Sequence, residues 1–166
     1  MTIVCLVFVT EIPKNYLKKI DKEVLNTFEI TSYKKEKVLL GQDVLDKLTD
    51  DFDPESLFKL ISEDRHLGYF YFGKAPSKAD EFDFVILLDP EMVIKKIKIL
   101  AYREDYGGEI SSKRWLRQFD GASTKSSLEY GSDIIGISGA TISARSMTVA
   151  VNSVLLNISK LPEGQK

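Results

Sequence analysis

Cysteine and histidine are nearly missing from this sequence of 166 residues, which has one of each, Cys5 and His66. That excludes a disulfide framework within one chain and a zinc site built from cysteine and histidine. An excess of charge of one sign is missing too, with 23 Lys and Arg against 25 Asp and Glu and a net charge of -2. The basic residues are dispersed or interleaved with carboxylates, as between Lys14 and Glu23. No basic face for a phosphate backbone is indicated, and no nucleic-acid partner is expected. Long hydrophobic runs are lacking as well. Ile3 to Val9 is apolar but falls far below the ~20 residues a membrane-spanning helix needs. This run reads either as a buried N-terminal strand or as the tail of a secretory signal whose basic start lies upstream of Met1. The second reading implies an extracytoplasmic setting, periplasmic or in the cell envelope; the cysteine count leaves the compartment open. The domain reading is therefore residues 1–12 as signal remnant or strand, and 13–166 as one domain.

What is present is an ordinary globular composition, 43% hydrophobic and 29% charged, enough for one domain with a sizeable core. Leu17, Ile20, Val24 and Phe28 recur at helical spacing, which predicts a helix over 13–28 with Pro13 at its first position. Thr31 to Leu40 reads as an edge strand and Gln42 to Leu48 as a short helix. Asp53-Pro54 looks like a helix start, with Leu57, Phe58, Leu60 and Ile61 as its apolar face. Leu67 to Lys74, Phe82 to Leu88 and Val93 to Tyr102 are rich in aromatic and β-branched residues and read as strands. Asp89-Pro90-Glu91-Met92 should close an antiparallel hairpin between the last two. In the third strand Ile97, Ile99 and Ala101 share a face opposite Lys96 and Lys98, which predicts a buried side and a wet side. The loop from Ala75 to Asp80 is expected to be mobile. A glycine pair, Gly107-Gly108, precedes a short helix over 110–119, a polar loop and a last helix over 138–159. The sum is an α+β fold, a mostly antiparallel sheet with helices packed on one face.

The segment from Ile134 to Val151 carries the chemistry. An apolar run meets Ser138-Gly139-Ala140-Thr141 and then a long helical pattern. Such a helix start offers backbone N–H groups without intrahelical partners, at the positive end of the macrodipole, and suits a phosphate. Ser138 is an N-cap by type, and Gly136 and Gly139 permit turns and close approach. With Ser138 as cap, Thr141, Ala144, Arg145 and Thr148 share a flank away from the stripe of Met147, Val151 and Leu155. That flank is either room for a ligand or close packing of a capped helix on the sheet.

Ser138-Gly139-Ala140-Thr141-Ile142-Ser143 resembles the flavinylation signature of the FMN-binding domain family. That family supplies peripheral subunits of sodium-translocating quinone reductases and related membrane-associated electron-transfer complexes, and regulators that feed nitrous oxide reduction. The resemblance implies FMN esterified through its phosphate to Thr141 by a dedicated flavin transferase. Tyr102 to Ile110 is similar to the family segment where an acid and a glycine turn lie over the flavin, and Trp115 to Phe119 to the helix that follows. The resemblance extends over roughly 67–158. It departs at Ile135, where many members carry an acid; noncovalent flavin is the alternative state it leaves. From the resemblance, Tyr106, Gly107, Gly108 and Trp115 become candidate ring neighbours, the glycines admitting the ring and the aromatics stacking on it. Glu104 is either a flavin hydrogen-bond acceptor or a surface acid, and Arg145 a candidate phosphate partner. The implied role is electron carrier or redox subunit rather than stand-alone enzyme, working with a redox partner protein. The rival of the same fold is a noncatalytic binding module for another ligand. A serine hydrolase around Ser138 is disfavoured, because such enzymes place their histidine after the serine and His66 lies before it.

Overall fold

The computed structural model describes residues 11–162; the apolar run at 3–9, and with it the choice between strand and signal, lies outside them. The element order is α1 (Lys14–Phe28), β1 (Lys34–Lys37), α2 (Gln42–Leu45), β2 (Leu57–Ser62), β3 (Arg65–Pro76), β4 (Glu81–Leu88), β5 (Ile94–Ala101), α3 (Lys113–Leu116) and α4 (Thr141–Ser159). The strands form one five-stranded sheet in sequence order, every neighbouring pair antiparallel. The α+β architecture follows, and the hairpin between β4 and β5 closes on the expected turn, Asp89 Oδ1 accepting the N–H groups of Glu91 and Val93.

Helices cover both faces of this sheet rather than one. Tyr69, Tyr71, Phe84, Ile86, Ile97 and Ile99 face a core shared with Met147, Val151, Val154, Leu155 and Ile158 of α4. Phe70, Phe72, Val85, Leu87 and Leu100 point the other way, into a second core with Tyr16, Ile20 and Val24 of α1. Strand periodicity of two produces both sets from the same strands. The expected wet face of β5 is thereby corrected: Lys96 and Lys98 lie under α1 and pair with its Glu23. Pro13 precedes the helix as its N-cap, with ψ 139°, instead of occupying the first helical position, and Glu29 ends α1 in the left-handed region.

The helix expected after Asp53 is a strand. Asp53 does cap a turn, accepting from the Glu55 N–H at 3.0 Å and the Ser56 hydroxyl at 2.7 Å, but the turn is a single 3-10 stretch, Pro54–Ser56. Leu57–Ser62 then lies between β1 and β3 with ladder bonds on both sides. Leu57 and Leu60, three apart, look like one helical face; in the strand they enter opposite cores. Pairing with both neighbours outweighs a local pattern this short.

Two polar ties fix the end of β5, where the site begins. Asp83 on β4 accepts from the Tyr16 hydroxyl of α1 at 2.7 Å and pairs with Arg103. Arg103 also donates to the Glu81 carbonyl at 2.7 Å. The residues on either side of Arg103, Tyr102 and Glu104, are held in place by that anchor.

Candidate functional site

A turn at 137–140 delivers the chain into α4. The Ala140 N–H bonds the Ile137 carbonyl at 3.2 Å, and the turn needs Gly139 at φ 81°, a left-handed conformation that favours glycine. The helix consequently starts at Thr141, later than expected, with Ala140 in the cap position and no side-chain cap bond. Ser138 is exposed and caps nothing. The first bond into the helix runs from the Ala144 N–H to the Ala140 carbonyl, 2.9 Å. The N–H groups of Thr141, Ile142 and Ser143 thus remain available at the positive end of a long helix. A serine cap would have consumed one of them.

Beside this helix start lies a hollow of about 700 Å³. One wall is Gly139, Ala140, Thr141, Ile142 and Ser143; the other is Tyr102, Glu104, Asp105 and Tyr106, with Lys78 and Ala79 from the β3–β4 loop. Thr141 is exposed on it, and Tyr106 stands out at 84% exposure. Ser143 is buried, its hydroxyl 3.0 Å from that of Tyr102. The Glu104 carboxylate accepts from the Ser77 hydroxyl at 2.6 Å, the Ala79 N–H at 2.7 Å and the Asp80 N–H at 3.3 Å. The Ala79 and Ser77 bonds hold its carboxyl below the ordinary glutamate range. The loop at 77–80, expected to be mobile, is pinned by this acid, and Lys78 is carried onto the wall.

Several expected neighbours lie elsewhere. Gly107 faces the α4 turn: a Cβ there would meet the Ala140 Cβ at 2.7 Å and the Gly139 carbonyl at 3.1 Å. Its φ of 80° and missing side chain let the segment after β5 press onto that turn. Gly108 faces open space. Trp115 is buried in the α4 core, edge-on to Phe119, and donates its ring N–H to the Ile135 carbonyl at 2.7 Å. Arg145 is turned away from the hollow, its guanidinium 5.1 Å above the Tyr130 ring. The flank expected to be open is partly filled, since Ala144 and Thr148 are buried and the Thr148 hydroxyl donates to the Ala144 carbonyl at 2.9 Å. His66 lies in β3 with Nε2 3.1 Å from the Gly68 carbonyl. Among the described residues no group of histidine, cysteine and carboxylates is arranged to hold a metal.

Lys78, Ala79, Tyr102 and Asp105 complete the wall; Tyr102 and Asp105 lie in the family-like 102–110 segment without being expected as ligand contacts, and Lys78 and Ala79 lie in the loop read only as mobile. Tyr102 had a signal of a kind, as the aromatic that ends an alternating strand. Nothing in the sequence marks Lys78, whose place depends on the long-range bonds to Glu104.

The hollow falls within the roughly 300–1,000 Å³ of small-molecule sites. Its open helix N–H groups and Lys78 suit a phosphate, and Tyr102 and Tyr106 suit an aromatic ring. These residues fit a phosphorylated flavin. Comparison with known proteins agrees: the family model described as FMN-binding domain matches residues 78–156. That range begins at Lys78 and includes both walls of the hollow. No curated protein matches the chain. Residues 78–156 of this chain are an FMN-binding domain, with FMN as its cofactor.

Proposed function

We propose that FMN is joined through its phosphate to the Thr141 hydroxyl, with the ring in the hollow beside α4, and that the domain carries electrons between a reduced partner and an acceptor. The observation that carries this reading is the exposed Thr141 on the first turn of α4, its hydroxyl without a hydrogen-bond partner among the described residues and facing the hollow. The neighbouring hydroxyls are less suited. Ser143 is buried against Tyr102, and Ser138 is not part of the wall. Bound FMN supplies one- and two-electron chemistry.

The chain's residues do the holding. The N–H groups of Ile142 and Ser143 and the Lys78 ammonium stabilise the phosphate charge. Tyr102 and Tyr106 flank the ring, and the wide mouth leaves part of it open to a partner. Arg103 and Glu104 act one step back, keeping the second wall and the 77–80 loop in position. An ester bond makes retention independent of free flavin, which suits a domain outside the cytoplasm. Maturation by a flavin transferase, a membrane-bound redox partner and an extracytoplasmic site belong to the same proposal, supported by the motif around Thr141 and the apolar run at 3–9.

A second reading keeps the hollow and makes the flavin noncovalent. Ile135, at the position where many relatives carry an acid, is 71% exposed, so a transferase reaching this turn meets an apolar side chain there. Acid precipitation of the purified, coloured protein separates the two readings. Flavin absorbance in the pellet supports the ester, and absorbance released to the supernatant supports the noncovalent state.

A further inference from the structure

A second cavity, of about 370 Å³, opens at the β5 edge of the sheet between α1 and α3, away from the hollow at Thr141. It is lined by Ile97 of β5 and Leu116 of α3 together with Lys95, Lys113 and Arg117. Lys96 and Lys98 also line it but are engaged by Glu23. Lys95, Lys113 and Arg117 have no carboxylate within ion-pair distance among the described residues. Asp120 is the acid these cations face. A shallow basin formed by Lys113, Arg114 and Arg117 adjoins the cavity. In a chain of net charge -2, this is a local surplus of positive charge around a concave site.

Thr27 lines this cavity, with its hydroxyl oxygen buried beneath the wall. Thr27 and Glu23 come from α1, which lies outside the matched range 78–156. The other lining residues, Lys95 to Asp120, lie within that range, so α1 completes a cavity whose cations belong to the FMN-binding domain.

We propose that this cavity binds a small anion bearing more than one phosphate group. Arg117 can take a phosphate with two parallel N–H bonds, and Lys113 and Lys95 act as point charges. Across the whole lining, Lys95, Lys96, Lys98, Lys113 and Arg117 face only Glu23 and Asp120, a surplus greater than the roughly two negative charges of one phosphate. A single carboxylate would leave most of that charge unanswered. The concave shape, with Ile97 and Leu116 among the cations, favours a small ligand over a flat macromolecular surface.

The test uses the full chain with its flavin, titrated with pyrophosphate and followed by amide NMR. Saturable shifts are expected at Thr27, Ile97 and Leu116, distinct from any at Thr141. The double variant Lys113→Ala/Arg117→Ala should weaken binding about tenfold or more, as loss of charge-assisted bonds implies. Asp120→Asn should tighten it by removing a competing carboxylate. Flavin content should not change, since none of these residues lines the Thr141 hollow. In a parallel arm, the protein is sedimented with phosphatidylglycerol vesicles. Vesicle binding without a pyrophosphate response would overturn the proposal and assign the cations to a membrane surface. Absent shifts, or weak shifts unaltered by the double variant, would also overturn it.

Discussion

Ser138, Thr141 and Ser143 stand close together in the sequence, and their surroundings separate them. The Ser143 hydroxyl is spent on Tyr102 inside the protein, whereas that of Thr141 has open space before it. Ser143→Ala should cost about 1 kcal/mol for one lost hydrogen bond and leave attached flavin intact, read by denaturant melts and by flavin absorbance of the denatured protein. Glu104 makes a different kind of prediction. Its folded carboxyl is held below its ordinary value by the Ala79 and Ser77 bonds, so the anchoring is fully present above the unfolded pKa of ~4.3. It is lost as pH falls through the lower folded value. Hydrogen exchange at the Ala79 amide, corrected for the intrinsic pH dependence, should therefore show constant protection near neutrality and falling protection below about pH 4. Protection that falls on approach to neutrality would contradict this role.

Among the elements, the helical stripe of α4 and the strands β3, β4 and β5 were legible because their periods run long enough to outvote local accidents. The stretch from Asp53 to Ile61 was not. Asp53-Pro54 carries a real capping signal, but it serves a 3-10 turn, and the strand after it is specified by pairing to β1 and β3, which no local window contains. The head of α4 was misplaced for a similar reason: Ser138 has the chemistry of a cap, yet the left-handed Gly139 turn sets the start at Thr141. The contact of Gly107 with Ala140 was equally hidden, being a meeting of distant segments. Gly107→Ala combines a positive φ with a Cβ placed 2.7 Å from another. It should destabilise the protein by about 1–3 kcal/mol and lower flavin content, since it displaces the turn that presents Thr141. A variant with wild-type melting and full flavin loading would show that this contact is dispensable.

For the molecule as a whole, the sheet works as a partition between two cores, one shared with α4, beside whose start the Thr141 hollow lies, the other with α1. Lys96 and Lys98 gave the appearance of a wet face in the sequence, because a lysine stem can lie under a helix while its head finds Glu23. The division predicts separable effects. Ile20→Ala, in the α1 core and fully buried, should cost about 2–5 kcal/mol without changing the flavin bound per folded molecule. Calorimetry together with flavin absorbance of the folded fraction checks both halves. The same arrangement leaves the Thr141 hollow on the surface, open to the enzyme and the redox partner proposed above. The most direct test of the central claim is mass mapping of the full chain coexpressed with a flavin transferase. The account predicts an added mass of one FMN less water on the peptide containing Thr141, absent from Thr141→Ala. An unmodified chain, or the same adduct on Ser138, Ser143 or any other residue, would contradict it.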